Sequence, residues 1–188
     1  PVARLLTLCR GVVTRTFPVI VAMSGLTMLA ALFAIFANAG PAPAGTSIPP
    51  HNLATYSLFG AAIFVSILLH ELSHAVAALR NGLAPAKVRV NAYLLIIPVF
   101  LLVIPGLYTI PPARRVQVWL AGIWGSLTVG SIALLVSELP AMPPLGSDLF
   151  AKIALANALI AVWNLLPFLP TDGYFVATTL LRRANVRS

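Results

Sequence analysis

The sequence predicts an all-α polytopic membrane protein. It should have about four transmembrane helices, with a re-entrant hairpin, part of it β, between the second and third. Three observations carry this. Of 188 residues 60% are hydrophobic and 9% charged, against about 25% charged in a soluble domain, so the chain cannot cover its surface with polar groups. The apolar residues fall in four runs, each long enough to cross most or all of ~30 Å of hydrocarbon at ~1.5 Å per residue. The basic residues gather at the ends of those runs, where they act as topology signals.

The first run, residues 17–39, has no charge and no small-residue cleavage site before its Pro-rich tail, so it reads as a retained span. Residues 40–50 are rich in Pro, Gly and Ala and cannot continue a helix. The second span is expected over 53–79, stopped by Arg80-Asn81-Gly82. Residues 92–110 are apolar enough for a fifth span, but Pro98 and Pro105-Gly106 break the run and both flanks are basic. A re-entrant segment over about 88–110 is therefore expected, and it needs protein or water to cover its backbone. The third and fourth spans are expected at about 116–136 and 149–166. Residues 1–16 form a basic arm, and residues 17–188 a single membrane-embedded domain.

Arg4, Arg10 and Arg15 precede the first span, and Arg80, Lys87 and Arg89 follow the second. Arg114 and Arg115 precede the third, and Arg182, Arg183 and Arg187 follow the fourth. The two opposite loops, 40–52 and 138–148, have no Lys or Arg, so both termini are expected in the cytoplasm; Lys152 is the one exception. The net charge of +8 is not gathered into a patch interleaved with aromatics, which argues against a nucleic-acid partner.

The chemistry sits in His70-Glu71-Leu72-Ser73-His74, within the second span. On a helix His70 and His74 stack on one face, where two imidazoles can grip a metal, and Glu71 lies close enough to deprotonate a water there. Ionisable groups at this depth are expensive unless they have a job, so a solvated surface motif is disfavoured. Catalytic zinc takes three protein ligands and keeps one position open. Only three other acids exist: Glu138, Asp148 and Asp172. The first two belong to the outer loop, so topology selects Asp172. Cys9 and His51 are weaker candidates; a lone cysteine is usually a small apolar filler, and His51 falls in the outer loop.

Asn164 lies ~22 Å into the fourth span, near the expected depth of the histidines. It could donate a hydrogen bond to substrate or to a tetrahedral oxyanion, or simply bond a neighbouring helix. Pro167 and Pro170 end that helix, and the unwound turn could bring Asp172 back toward the metal.

His70-Glu71-Leu72-Ser73-His74 together with Asn164-Leu-Leu-Pro167-Phe-Leu-Pro170-Thr-Asp172-Gly173 resembles the site-2 protease family of intramembrane zinc metalloproteases. The resemblance runs from about Ile63 to Tyr174. It implies one zinc ion on His70, His74 and Asp172, Glu71 as the base, and a site in the membrane near the cytoplasmic face. It implies a peptide or transmembrane-helix substrate. The compact build also looks like the peptide zinc metalloprotease branch found beside bacterial peptide-maturation systems, which implies a bacterial cell membrane. Two positions depart from the family pattern. The third span carries Ala121-Gly122-Ile-Trp124-Gly125-Ser126 where a Gly-Pro and a nearby Asn are frequent, and Thr171 stands where an aliphatic residue is usual. Any regulatory module is expected in a membrane partner or outside this chain. The competing reading is a catalytically inactive metal- or peptide-binding protein of the same fold, against which Glu71 argues, since a carrier has no use for a base.

Overall fold

The computed structural model describes residues 2–37, 53–84, 87–93 and 97–181. In order these form α1 (Val2–Ala37), α2 (Leu53–Arg80), β1 (Lys87–Tyr93), β2 (Ile97–Val103), a 3₁₀ turn (Leu107–Thr109), α3 (Pro112–Ser137), α4 (Pro144–Leu165) and α5 (Asp172–Leu180). Four of these helices are long and apolar enough to cross a membrane: Arg10–Phe33 within α1, and all of α2, α3 and α4. The expected outer loop over 40–52 lies outside the described residues.

Helix α1 runs unbroken from the basic arm into the first span, because Arg and Leu are good helix formers. Pro18 sits inside it, where it removes one backbone bond without ending the helix. Helix α2 stops where expected, through a left-handed glycine. Gly82 has φ 82, Leu83 N–H donates to Ala78 O at 3.0 Å and Gly82 N–H to Leu79 O at 3.0 Å. That pair of bonds is a Schellman closure, which only glycine adopts without strain. Helix α4 begins five residues before the expected 149, at Pro144, whose fixed φ suits a first helical position.

Helix α3 is the hub, packing against α1, α2, α4 and α5. Its buried stripe explains why: Val118, Gly122, Ser126, Gly130, Ala133 and Ser137 recur at three- or four-residue spacing. Small side chains at that spacing let helix backbones approach closely, which is how apolar helices associate without a hydrophobic drive. A Cβ at Gly130 would lie 3.1 Å from Asn157 Cβ and 3.3 Å from Ala154 O of α4. The outward faces are apolar and exposed (Phe33, Leu155, Leu159 and Val162 among them), as a lipid-facing surface requires.

Between α2 and α3 the chain makes a two-stranded antiparallel hairpin rather than a fifth helix. Val88 pairs with Leu102 and Ala92 with Pro98, and β2 is the strand that packs on α2. The 3₁₀ turn then buries Leu107 against Ala77, Ala78 and Val118, forming a small core where α2 ends and α3 begins.

Candidate metal centre

On α2, the side chains of Ser66, His70 and His74 are buried along one stripe, each one turn from the next. His70 Nε2 lies 3.1 Å from Asp172 Oδ2, His74 Nε2 lies 3.3 Å from the same oxygen, and the two Nε2 atoms are 3.3 Å apart. These three atoms form a nearly equilateral triangle. Tetrahedral zinc with ligands at about 2.0–2.1 Å separates neighbouring donors by about 3.3–3.4 Å, so the donor set fits that ion.

The protons agree. His74 Nδ1 lies 2.7 Å from Val118 O. A carbonyl only accepts, so Nδ1 carries the proton and Nε2 of the neutral ring presents a lone pair toward a carboxylate. Two acceptors pointed at each other in a buried site call for a shared proton or a metal cation between them. His70 Nδ1 lies 2.9 Å from Ser126 Oγ, which is fully buried. Such outer partners fix ring orientation and tautomer at metal centres.

Asp172 reaches the histidines because α4 ends early. After Leu165 the chain turns through Pro167 and Pro170, and Thr171 Oγ1 ties the turn by donating to Leu166 O at 3.0 Å. Helix α5 then starts at Asp172, with the carboxylate in its first turn, where a negative charge is favoured by the helix dipole. Burial alone would raise the Asp172 pKa, but hydrogen bonds and charge from His70 and His74 outweigh it and hold the carboxyl below its usual range. Gly173 is required by the same geometry: a Cβ there would overlap the carbonyl of Leu165. Trp119 of α3 stacks on Phe175 of α5 at 4.5 Å and meets His74 edge-on at 6.4 Å, so one indole braces both sides of the cluster.

Glu71 shares the site. A ligating atom from each of His70, Glu71 and His74 falls within 4.8 Å of the others. Glu71 Oε2 accepts a hydrogen bond from the backbone N–H of Leu102, on β2, at 3.0 Å. The remaining acids lie elsewhere: Glu138 is exposed at the C-terminal cap of α3, and Asp148 pairs with Lys152 at 2.6 Å. The side chains of Cys9 and His51 are outside the described residues.

The amide of Asn164 bonds within its own helix, donating to Ile160 O at 3.0 Å and leaving a second N–H. The buried asparagine that does cross helices is Asn157, whose Nδ2 donates to Ser66 Oγ at 3.1 Å and to Ile153 O at 2.9 Å. Asn157, Ser126, Gly122 and Leu102 are not among the residues that the sequence singles out. A Cβ at Gly122 would lie on both Nε2 atoms, and the Gly122–Ser126–Gly130 spacing was the available signal.

No family model matches the chain, and no solved structure matches it. A protein of Methanocaldococcus jannaschii described as a zinc metalloprotease is 27% identical over 121 residues, 64% of this chain and 33% of the relative. The chain thus spans about a third of the length of the relative it matches. In this chain the His-Glu-His group is compatible with zinc.

Proposed function

We propose that the protein is an intramembrane zinc metalloprotease of the site-2 protease type, hydrolysing peptide bonds of a membrane-embedded or membrane-proximal substrate near the cytoplasmic face. The observation that carries this reading is the triangle of His70 Nε2, His74 Nε2 and Asp172 Oδ2, with edges of 3.1–3.3 Å, beside the carboxylate of Glu71. The distant similarity to a zinc metalloprotease supports it.

His70, His74 and Asp172 would hold the ion. Zinc there supplies a Lewis acid that polarises a peptide carbonyl and makes water a nucleophile near neutral pH. Glu71 takes the proton from the attacking water and returns it to the leaving amine. Asn164 directs its free amide N–H at the substrate backbone or the developing oxyanion. A transmembrane helix hides its peptide bonds, so the substrate must arrive unwound, and the β hairpin offers an edge to hold an extended segment. By the distribution of basic residues both termini face the cytoplasm, and the resemblance to peptide-maturation enzymes points to a bacterial membrane.

Glu71→Gln is the direct test. The purified variant should keep one equivalent of zinc by metal analysis while peptide cleavage falls by about 10²–10⁴. Undiminished cleavage would remove Glu71 from the mechanism. Absence of zinc and of cleavage in the wild-type protein would leave the inactive binding protein as the better description.

A further inference from the structure

A groove of about 510 Å³ lies between α1, α2 and α3, beside the metal centre and lined by neither His70 nor His74. Phe17 and Val21 of α1 form one wall, Leu72 and Val76 of α2 the other, and Leu120 and Trp124 of α3 the floor. Helix α2 meets the floor closely, since a Cβ at Gly125 would overlap Ser73 Oγ. Helix α1 is pinned to the floor by Trp124 Nε1, which donates to Ser24 Oγ at 2.7 Å. The groove is therefore built by three packed helices.

Its polarity is uneven. The hydroxyls inside it are spent on their own helices: Ser73 donates to Leu69 O at 2.8 Å, and Thr128 to Trp124 O at 2.8 Å. Charge and amide groups gather at one end, where Arg80, Asn81 and Gln117 line the groove. The Arg80 guanidinium lies 4.0 Å over the centre of the Phe17 ring. The ring holds one face of the guanidinium and leaves its fork of N–H groups open, which suits a pair of phosphate oxygens. Arg10, on the same face of α1 as Phe17 and about two turns before it, adds a second guanidinium at this end. A Cβ at Gly82 would lie 3.3 Å from its Nη2.

Neither arginine has a carboxylate to meet. The four acids of the chain are Glu71, Glu138, Asp148 and Asp172. Two belong to the metal centre, Asp148 pairs with Lys152, and Glu138 caps α3 at the end away from Gln117. Length then selects the occupant. The lining residues of α3 run from Gln117 to Val129, ~18 Å along the helix. That matches one leaflet of hydrocarbon, about 15 Å deep, whereas a transmembrane helix would need a seat across ~30 Å.

We propose that the groove binds one anionic phospholipid, with an acyl chain along α3 and the phosphate on Arg80 and Arg10. Basic pockets between helices at the membrane face are suited to such headgroups. The acyl chain packs on Leu72 and Val76, so the lipid completes the packing of α2 on either side of His74. The proposal stands apart from the proteolytic reading.

The test is native mass spectrometry of the full chain in detergent. It is titrated with dioleoylphosphatidylglycerol or dioleoylphosphatidylcholine, which share their acyl chains and differ in net charge. One phosphatidylglycerol should bind about tenfold tighter than phosphatidylcholine. Arg80→Gln should weaken phosphatidylglycerol about fivefold and leave phosphatidylcholine unchanged, and Arg10→Gln should do the same. Val21→Phe, which fills the groove, should weaken both lipids, with Ile20→Phe as a second filler should the first fail to fold. Excess inorganic phosphate should not displace the bound lipid, because the groove recognises the acyl chain as well as the charge. Equal binding of the two lipids, as a seat for a protein helix would give, overturns the proposal. So does phosphatidylglycerol affinity that survives both arginine substitutions or both groove fillers, and so does displacement by phosphate alone. Thermal unfolding of each variant in detergent establishes that it is folded.

Discussion

A methyl group added at residue 122 would occupy the space between two imidazole nitrogens, which makes Gly122 one of the most constrained glycines among the described residues. Gly122→Ala should lose most of its zinc and unfold at a lower temperature in detergent, since overpacking of this kind costs about 1–3 kcal/mol. Ser126 acts more mildly. Ser126→Ala removes the partner of His70 Nδ1 and should weaken zinc binding about 10–100-fold in competition with a chelator, as loss of outer-sphere partners generally does. Asp172→Ala should lower zinc occupancy further still, whereas Glu138→Ala should leave it unchanged. Equal occupancy in the two acid variants would take the third ligand away from Asp172. At this scale the sequence was readable where chemistry is local. His70, Glu71 and His74 announce themselves through one helical turn, and Asp172, the one other acid that the expected topology leaves on their side, lies beside the two imidazoles in the structure. Gly122 and Ser126 show in the sequence only as a four-residue spacing of small residues with Gly130, and Leu102 not at all, because each matters through a neighbour from another element.

Among the elements, the apolar runs located four helices, since hydrophobic length alone sets a span, but not all of their ends. The errors have local causes. Arg4, Arg10 and Arg15 mark the end of an apolar run, yet arginine extends a helix readily and α1 starts at Val2. The polar Gly146-Ser147-Asp148 was assigned to the loop, whereas Pro144 starts α4. Helix α5 is not among the expected elements; its nine residues are too few for a span. The hairpin was anticipated from Pro98, Pro105 and the β-branched content, and its strands fall where those residues allow. One element-level contact can be weighed. Asn157 joins α4 to α2 through Ser66, although its Oδ1 has no partner. Asn157→Ala should therefore cost only about 1 kcal/mol in thermal unfolding, with zinc content intact. A loss of zinc in that variant would show that the α2–α4 register governs the metal centre.

For the whole molecule, the charge pattern makes a claim about sidedness that labelling can check. In a Cys9→Ala background, Ala141→Cys in the loop between α3 and α4 should react with an impermeant maleimide on intact cells. Ala113→Cys, before α3, should react only after permeabilisation. The reverse pattern would invert the protein and place the metal centre on the outer side. Both sites are exposed, so failure to label would not come from burial.

The donors of the triangle come from two helices that are far apart in sequence: two nitrogens from the middle of α2, and one oxygen from the first residue of α5. α5 is short and is joined to α4 through a proline turn, so a chelator should not affect both ends of the triangle alike. Deuterium uptake across residues 172–180 should rise once the ion is stripped, while residues 66–78 stay protected by the long helix that carries them. That asymmetry would report occupancy of the centre without any substrate being added.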